Sequence, residues 1–307
     1  MARRGSRRTV RVVVVAGVAP FGLVLGAVPA FATTPTPVIH TDLQEELPAG
    51  GGGYVFWTQN SADDPNHYDL FGKKTGQPRF QVNADNTFGF TGAVDGPLVL
   101  YQQTNSARTQ SDLFIYNLDT KARTKLPAAV NTDDWEFYAS MSGDFIAFTR
   151  QNLHTFTKTE FLYNRSTHDL RQLDTAPSGN PALQTGQVNG NFVVWQKCDA
   201  QGKCTVFEYD IEHSKKTRIP GPQGKSQHSP AVTTDGTVFF GRSGIGCGTN
   251  ASVVEDPPDG PQKVLFSLPA GVDFSRLNVV IGAHPTAVLF DRVRCDPLQF
   301  DIYRFTA

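Results

Sequence analysis

The feature that most constrains this chain is a strand-like pattern that recurs at a nearly constant interval. Six short apolar runs begin 44, 47, 47, 46 and 49 residues apart, at residues 54–57, 98–101, 145–148, 192–195, 238–241 and 287–290. Asp95-Gly96, Asn189-Gly190 and Asp235-Gly236 precede three of these runs. Such dipeptides favour tight hairpin turns with positive φ at both central residues. Each run is therefore predicted to pair with a strand that lies just before it.

Two further strand-like segments follow each run. An aromatic segment comes first, as at 68–71, 112–116 and 160–163, and a shorter segment that alternates charged and apolar residues comes second, as at 79–82 and 123–126. No helical period of apolar residues competes with this pattern outside the N-terminal segment. Repeated four-stranded sheets around an axis make a β-propeller. The predicted fold class is all-β, a six-bladed β-propeller of four-stranded antiparallel blades.

The same repeat predicts which aromatic side chains form the core. Trp57, Tyr101, Phe148 and Trp195 occupy equivalent places in successive units. Large aromatics at equivalent repeat positions fill the same structural slot. We interpret them as packing between blades rather than as a platform for sugars.

The repeat also predicts how the ring closes. The sixth unit ends at Ala307 after its third strand, so residues 37–43 are expected to supply its outer strand, and residues 45–53 the first inner strand. Pairing of the two termini leaves no unpaired interior edge. We predict one propeller domain over residues 33–307, closed by an N-terminal strand. Its blade units are predicted at about residues 54–96, 97–143, 144–190, 191–236 and 237–283, with a sixth unit of 284–307 completed by 37–53.

The N-terminal segment has the organisation of a signal peptide. Its first 11 residues hold five arginines and no acidic residue, and an apolar run follows at 12–28. Residues 30–32, Ala-Phe-Ala, match the small-x-small pattern that signal peptidase accepts. We predict that residues 1–32 are removed, that no membrane span remains, and that the protein is secreted to the periplasm or the extracellular space. An uncleaved anchor is the alternative, and export by the Sec route or by the twin-arginine route stays open.

Net charge argues against a nucleic-acid partner. The chain has 28 Lys and Arg against 29 Asp and Glu, and removal of the five N-terminal arginines leaves 23 against 29, or −6. A sequence-independent nucleic-acid binder needs a basic stripe that displaces counterions from phosphate. We therefore expect an acidic, monomeric domain without a nucleic-acid partner.

Four cysteines fit an oxidising compartment. Cys198 and Cys204 flank a polar loop between the second and third strands of one unit, while Cys247 and Cys295 lie in that loop of the two following units. Neighbouring blades place these loops side by side, so we predict the disulfides Cys198–Cys204 and Cys247–Cys295. Free buried thiols are the alternative, and a zinc site is disfavoured because no Cys-x-x-Cys or nearby His accompanies them.

Three sequence segments resemble the repeat of TolB-type propellers, which carry WD40-like units. Residues 229–236, Ser-Pro-Ala-Val-Thr-Thr-Asp-Gly, look like the start of that repeat, and residues 111–120 and 300–303 resemble its Asp-Ile-Tyr-like third strand. The resemblance covers about residues 54–307. It implies a secreted scaffold that binds a protein or a cell-envelope partner, without a catalytic residue set.

Candidate ligand-facing residues lie where the inner strands begin, around the expected channel mouth. They are Asn86, Asp134, Trp135, Asn180, Gln227, His228, Asp273 and Arg276. His228 is the first to test, because it has a nearby cation and titrates in a range suited to acid and base catalysis. A hydrated channel mouth without any function is the alternative interpretation, since polar groups prefer a wet position whatever their role.

The sequence offers little support for an enzymatic function. Neither a nucleophile elbow nor a phosphate loop, metalloprotease helix or dinucleotide fingerprint occurs in the sequence. The acidic pairs at 63–64 and 133–134 lack the ordered spacing and glycine of a calcium loop. We predict no cofactor and no metal. The alternative function is a propeller-type polysaccharide lyase or glycoside hydrolase that uses the polar residues at the channel mouth.

The predicted pairing of the cysteines can be tested on the intact protein. Alkylation without reduction is expected to leave the mass unchanged, whereas alkylation after reduction should modify all four cysteines. Mass spectrometry measures both states. Reaction of four thiols in the unreduced protein would contradict the prediction.

Overall fold

Within residues 34–178, 183–244 and 247–307, which the computed structural model describes, the chain forms 24 β-strands in six four-stranded sheets. Blade 1 contains β2 (Glu45–Gly51), β3 (Tyr54–Asn60), β4 (Tyr68–Lys74) and β5 (Phe80–Gln81). Blade 2 contains β6 (Thr87–Asp95), β7 (Leu98–Asn105), β8 (Ser111–Asn117) and β9 (Arg123–Lys125). Blade 3 contains β10 (Trp135–Ser142), β11 (Phe145–Gln151), β12 (Lys158–Asn164) and β13 (Leu170–Ala176).

The remaining blades follow the same order. Blade 4 contains β14 (Leu183–Asn189), β15 (Phe192–Cys198), β16 (Cys204–Asp210) and β17 (Lys215–Arg218). Blade 5 contains β18 (Ser226–Val232), β19 (Val238–Ser243), β20 (Ser252–Asp256) and β21 (Lys263–Ser267). Blade 6 contains β22 (Val272–Val279), β23 (Ala287–Cys295), β24 (Leu298–Thr306) and β1 (Thr36–Ile39).

The observed architecture is the predicted six-bladed β-propeller. Every pair of neighbouring strands within a blade is antiparallel, and the first strand of each of blades 1–5 precedes the three that follow it in the sequence. Each of blades 1–5 begins at its inner strand, whereas the corresponding predicted unit begins at the apolar run one strand later. The inner strand pairs with that apolar run and not with the strand that precedes it in the sequence. The predicted signal peptide lies outside the described residues.

The two ends of the domain close the ring as predicted. Strand β1 pairs with β24, with Thr36 opposite Arg304 and Ile39 opposite Ile302. The side chains of Trp57, Leu289 and Ile302 form a buried apolar cluster at this seam, and those of Val38 and Ile39 pack against it. Closure therefore buries apolar surface between blade 6 and blade 1 and also covers the edge of β24.

The hairpin turns between first and second strands differ from the sequence prediction by one residue. In blade 2, Asp95 is the last paired residue of its strand and Gly96-Pro97 form the turn, with Gly96 at φ 55°. In blade 4, Gly190 takes the same place at φ 55°. A turn with glycine at the first central position needs positive φ at that residue alone, so a proline can follow it.

The predicted aromatic core is confirmed by burial. Trp57 is 2% exposed, and Tyr101, Phe148 and Trp195 are fully buried. Each contacts an aromatic ring of the third strand in its own blade, at centroid distances of 5.5 to 6.1 Å. Aromatic pairs at such spacings add to the stabilisation from burial alone. The core consequently lies in the sheets and between them rather than at the axis.

Both predicted disulfides are present in the structure, Cys198–Cys204 and Cys247–Cys295. The first joins the ends of β15 and β16, and the second joins blade 5 to blade 6. Disulfides of this kind are typical of an oxidising compartment outside the cytoplasm.

Strand β1 is expected to contribute measurably to stability. A mature chain that begins at His40 should unfold with a free energy roughly 2 to 4 kcal/mol lower than one that begins at Thr36, because Val38 and Ile39 lose their apolar contacts. It should also associate through the uncovered edge of β24. Urea denaturation and light scattering measure the two effects. Equal stability of the two chains would show that the closure is energetically unimportant.

Candidate functional site

A β-bulge interrupts all six inner strands at the same level. In each, pairing with the second strand shifts over one equivalent four-residue segment. These segments are 46–49 in blade 1, 90–93 in blade 2, 137–140 in blade 3, 184–187 in blade 4, 228–231 in blade 5 and 274–277 in blade 6. A bulge bends its strand and redirects a side chain. Six bulges at one level therefore set the shape of the space around the axis.

The second residue of the bulge alternates between neighbouring blades. In blades 1, 3 and 5 it is Leu47, Tyr138 or Ser229, at φ 54°, 50° and 54°. This left-handed conformation is uncommon for residues other than glycine and is often found at functional sites. These three residues are spaced 91 residues apart, so the ring has an approximate three-fold repeat of two blades.

The even-numbered blades have Thr91, Thr185 and Ser275 at this position, and none of these three residues has a positive φ. Thr91 N–H donates to Oγ1 of Thr58 at 2.9 Å, and Thr185 N–H donates to Oγ1 of Thr149 at 3.1 Å. Both bonds run from one blade to the preceding one. In blade 6 the equivalent Ser275 N–H donates to Asp291 at 2.8 Å. Blade 6 thus uses a carboxylate where the other two blades use a threonine.

Asp291 is the central acceptor of this end of blade 6. It is fully buried and accepts hydrogen bonds from Ser275 N–H, Ser275 Oγ, Arg276 N–H and Leu47 N–H, at 2.8, 2.6, 2.7 and 3.2 Å. Burial raises the pKa of Asp291, while the side-chain and backbone hydrogen bonds lower it. Its oxygens hold the bulges of blade 6 and blade 1 in place across the closure seam.

Above the bulges the ring opens into a funnel with a cavity volume of about 530 Å³. All six inner strands contribute to its lining. Its aromatic side chains are Phe90, Trp135, Phe137, Tyr138 and Phe300. Its amide side chains are Gln102, Gln151, Gln184 and Gln196, and its ionisable side chains besides Tyr138 are Glu46, Lys158 and Arg276. Apolar walls with a few placed polar groups are typical of a ligand site.

Gln187 spans the axis below the funnel. Its Nε2 donates to Val279 O at 2.8 Å, and its Oε1 accepts from Val279 N–H at 3.0 Å and from Val232 N–H at 3.3 Å. One side chain of blade 4 is therefore bonded to blades 5 and 6. The funnel is open at one end of the propeller and is blocked at this level.

Arg276 lies at the base of the funnel. It occupies the third position of its bulge, where blades 2 and 4 have Gly92 and Gly186. The side chain is 5% exposed, and its Nη2 donates to Gly186 O at 3.3 Å and to Ala139 O at 3.5 Å, on the opposite side of the ring. Its Nε has no hydrogen-bond partner. Burial lowers the pKa of Arg276.

Glu160 is a buried acid behind the funnel wall. It accepts hydrogen bonds from Thr149 Oγ1 at 3.0 Å and from Thr185 Oγ1 at 2.8 Å, between blades 3 and 4. Burial raises the pKa of Glu160 to about 8, because the carboxylate has lost its water, and the two hydroxyls lower it by less. The equivalent residue is Leu70 in blade 1 and Leu113 in blade 2, whereas blade 6 has Asp301.

Glu46 is the acid on the funnel wall itself. Burial, and then the negative charge of Asp291, raise its pKa to about 7. Lys158 lies on the same wall, and burial lowers its pKa. Partial desolvation of Glu46 therefore reduces the negative charge that the wall carries at neutral pH.

The structure brings together only part of the sequence-predicted site. Trp135 and Arg276 line the funnel. Asp134 does not, because its oxygens accept hydrogen bonds from Asn152 Nδ2 and Leu153 N–H, both at 3.1 Å, and so order a loop. Asn86 lies in an exposed turn at φ 59°. Asn180 lies outside the described residues.

His228 is packed rather than presented to the funnel. Its ring lies 4.9 Å from the ring of Phe274, and its nitrogens are hydrogen-bonded to Ser243 Oγ at 3.1 Å and to Ser229 Oγ at 3.3 Å. Burial lowers the pKa of His228, and the charge of Asp273 raises it by less. The side chain is therefore held neutral by its packing.

Gln227 and Asp273 also have structural partners. Gln227 Oε1 accepts from Val206 N–H at 3.2 Å, and its Nε2 donates to Pro220 O at 2.9 Å. Asp273 accepts from Phe274 N–H at 2.9 Å and from Gly248 N–H at 3.3 Å. Both residues connect strands and loops of neighbouring blades.

Sequence reasoning did not select Glu46, Tyr138, Glu160 or Asp291. One signal was available for Asp291. The residue opposite the bulge is aromatic in the other five blades and an aspartate in blade 6; the aromatic residues are Trp57, Tyr101, Phe148, Trp195 and Phe240. A departure from a repeat at one blade marks a local requirement.

Loops between second and third strands form the rim of the funnel, since these strands end and begin at its open side. Phe156 lies on one of these loops and Leu298 is the first residue of β24, directly after another; they are 59% and 56% exposed. Both disulfides belong to the same set of loops. The rim thus combines covalently restrained loops with exposed apolar side chains.

The described part of the chain contains no helix that is long and apolar enough to cross a membrane. Within the same residues, no group of three or more His, Cys, Asp and Glu side chains is arranged to hold a metal ion.

Comparison with known proteins identifies the fold. No protein-family model and no curated protein matches the chain. The structure of a putative TolB from Agrobacterium tumefaciens is similar, with a TM-score of 0.58 and 12% identity over 87% of this chain and 91% of that chain. TolB from Acinetobacter baumannii gives a TM-score of 0.56 and 14% identity over 83% of this chain and 64% of that chain. This chain therefore spans less than two thirds of that protein.

An enzyme is among the similar structures. Oligogalacturonate lyase from Vibrio parahaemolyticus gives a TM-score of 0.52 and 9% identity over 88% of this chain and 84% of that chain. At these identities the likeness shows the fold alone. By its fold, the protein is a six-bladed β-propeller that is structurally similar to TolB.

Glu160 is expected to make stability depend on pH. Its folded-state pKa of about 8 lies above the usual 4.5, so between these values the folded protein binds one more proton than the unfolded chain. This contribution is complete below about pH 4.5 and is lost as the pH rises through 8. Glu160→Gln should remove a pH-dependent difference of roughly 4 to 5 kcal/mol at most.

Urea denaturation of wild type and Glu160→Gln at pH 5 and pH 9 measures this difference. The variant should lose less stability at the higher pH, while other titrating groups act equally in both proteins. Glu212→Gln, at an exposed site, is the control. Parallel pH profiles of the wild type and Glu160→Gln would contradict the expectation.

Proposed function

We propose that this chain is an exported, non-catalytic binding module whose funnel and rim hold a protein or cell-envelope partner. The observation that carries the proposal is the concave funnel, which five aromatic side chains line in part, with the exposed Phe156 and Leu298 at its rim. Aromatic-lined pockets beside exposed apolar surface are typical of protein interaction sites. The fold likeness to TolB agrees with such a role.

The groups that catalysis would require have structural roles instead. His228 is hydrogen-bonded to two serines, and Asp291 accepts four hydrogen bonds. A general base must reach a proton of the substrate and be free to take it. These two residues therefore support a binding function better than an acid and base pair.

The remaining parts of the proposal concern export and assembly. Residues 1–32 act as a cleaved signal peptide, by the Sec or the twin-arginine route, and the two disulfides form after export. The mature chain acts as a monomer without a cofactor. Its acidic net charge gives it no affinity for nucleic acid.

Site-specific photo-crosslinking tests where the partner binds. Crosslinkers that replace Phe156 or Leu298 on the rim should capture a common envelope component, identified by mass spectrometry. Val264 is the matched control, because it is 47% exposed but lies on the outer strand β21. Serine at 156 and 298 should lower capture through the other rim position, and serine at 264 should not. Equal capture from position 264, or no capture from the rim, would refute the proposal.

An activity assay distinguishes the proposed binding function from the enzymatic alternative. The wild-type protein is incubated with oligogalacturonate and with other acidic and neutral polysaccharides. Formation of unsaturated or shortened sugars, abolished by Arg276→Met, would show a lyase or hydrolase instead. We expect no product.

A further inference from the structure

Arg276 is a buried cation without a counter-ion in the described structure. No aspartate or glutamate forms an ion pair with it in residues 34–178, 183–244 and 247–307. Its two hydrogen bonds, at 3.3 and 3.5 Å, both start from Nη2, and the Nε donor is unused. A buried charge is costly unless it is paired and its donors are satisfied. The site is therefore incomplete as it stands.

Nearby acids cannot complete it, because their oxygens are already committed. Asp291 is bound by the backbone of the two bulges, and Glu160 is bound by Thr149 and Thr185. Movement of either acid toward Arg276 would break those hydrogen bonds and leave buried donors unpaired. The missing partner must consequently come from outside the chain.

The place of Arg276 fixes the direction from which that partner comes. Gln187 blocks the axis below, and the funnel opens above. In the other even-numbered blades the same bulge position is glycine, so the ring does not need a long side chain there. A ligand that enters the funnel meets the guanidinium at its base.

The residues that line the funnel indicate which kind of ligand supplies the negative charge. Phe137 and Tyr138 offer apolar contact. Gln196 Nε2 donates to Gln184 Oε1 at 2.7 Å and Gln196 Oε1 accepts from Ser229 N–H, so Gln184 Nε2 and the amide of Gln151 are left to bond a ligand. Such a mixture suits a peptide, whose backbone alternates donors and acceptors and whose side chains are partly apolar. The planar donor set of a guanidinium matches a planar carboxylate.

We propose that Arg276 binds a carboxylate of a peptide segment that inserts into the funnel. The inference rests on the proposed function, because the segment belongs to the partner held at the rim. The carboxylate is that of a chain terminus or of an acidic side chain. It supplies the direct ion pair that Arg276 does not form within the described residues.

Binding of a small carboxylate and its neutral amide tests the proposal directly. The probes are N-acetyl-L-phenylalanine and N-acetyl-L-phenylalanine amide, titrated into the full mature protein and followed by NMR or calorimetry. We expect the carboxylate to bind in the millimolar range and at least about tenfold more tightly than the amide. Arg276→Met should abolish this preference. Arg292→Met is the matched control, since Arg292 lies in the same blade but donates to Tyr303 Oη.

Folding of the variants is checked by thermal unfolding. Arg276→Met should have an unchanged or higher midpoint, because it removes an unpaired buried charge. Arg276→Lys should keep part of the preference, since a lysine provides charge without the planar donor pair. Equal binding of the two probes, binding of neither, or a preference that persists in Arg276→Met would overturn the proposal.

The outcomes distinguish this proposal from the one on which it rests. Trigalacturonate is titrated as a second carboxylate source, and its tighter, Arg276-dependent binding would overturn the assignment to a peptide. Capture of a partner at the rim without any carboxylate preference would refute the role of Arg276 alone. A carboxylate preference without capture at the rim would refute the scaffold function and leave the anion site in place.

Discussion

Convergence of six inner strands on one axis is the constraint on which the rest of this structure depends. In blades 2 and 4 the third residue of the bulge has no room for a side chain. A Cβ at Gly186 would lie 2.2 Å from Pro230 O, and one at Gly92 would lie 2.7 Å from Leu100 O. Above the bulges the strands diverge and their side chains turn toward the axis. A narrow, packed lower half and a funnel above it follow from the same six bulges.

Blade 6 satisfies this constraint differently from the other blades. It is assembled from both ends of the domain. It has Arg276 where blades 2 and 4 have glycine, and Asp291 where the other five blades have an aromatic ring. Asp291 replaces core packing by hydrogen bonds to two bulges, one on each side of the seam. The stability that an aromatic side chain gives elsewhere is here supplied by polar contacts. The blade that closes the ring is also the blade that introduces the charge at its axis.

The fold could be predicted from sequence because it depends on features that repeat. Spacing of the apolar runs defined six blades, and the incomplete last unit indicated closure by the N-terminal strand. Loop positions in that register also located both disulfides. These inferences depend only on the order of the strands along the chain. An error of one residue in the position of a strand does not change that order.

The site could be predicted only in part, because it depends on register within the inner strand. Counting four residues from the start of each run makes Gly241 and Phe290 equivalent to Trp57, whereas pairing around the bulge makes Phe240 and Asp291 equivalent to it. A one-residue shift moves a side chain to the other face of a sheet. Arg276 was selected for its place near the start of its strand. His228 was selected on the same ground, but its ring is turned into contact with Phe274.

The charge in the funnel at neutral pH depends on how burial changes the pKa of each of its ionisable groups. Burial raises the pKa of Glu46 to about 7 and that of Glu160 to about 8, so both carboxyls are partly or largely uncharged at neutral pH. Arginine stays protonated even when burial lowers its pKa, because its ordinary value is 12.5. Desolvation therefore reduces negative charge near the axis and leaves the cation in place. A funnel with acidic residues on and behind its wall can in this way present a positive charge to a ligand at its narrow end.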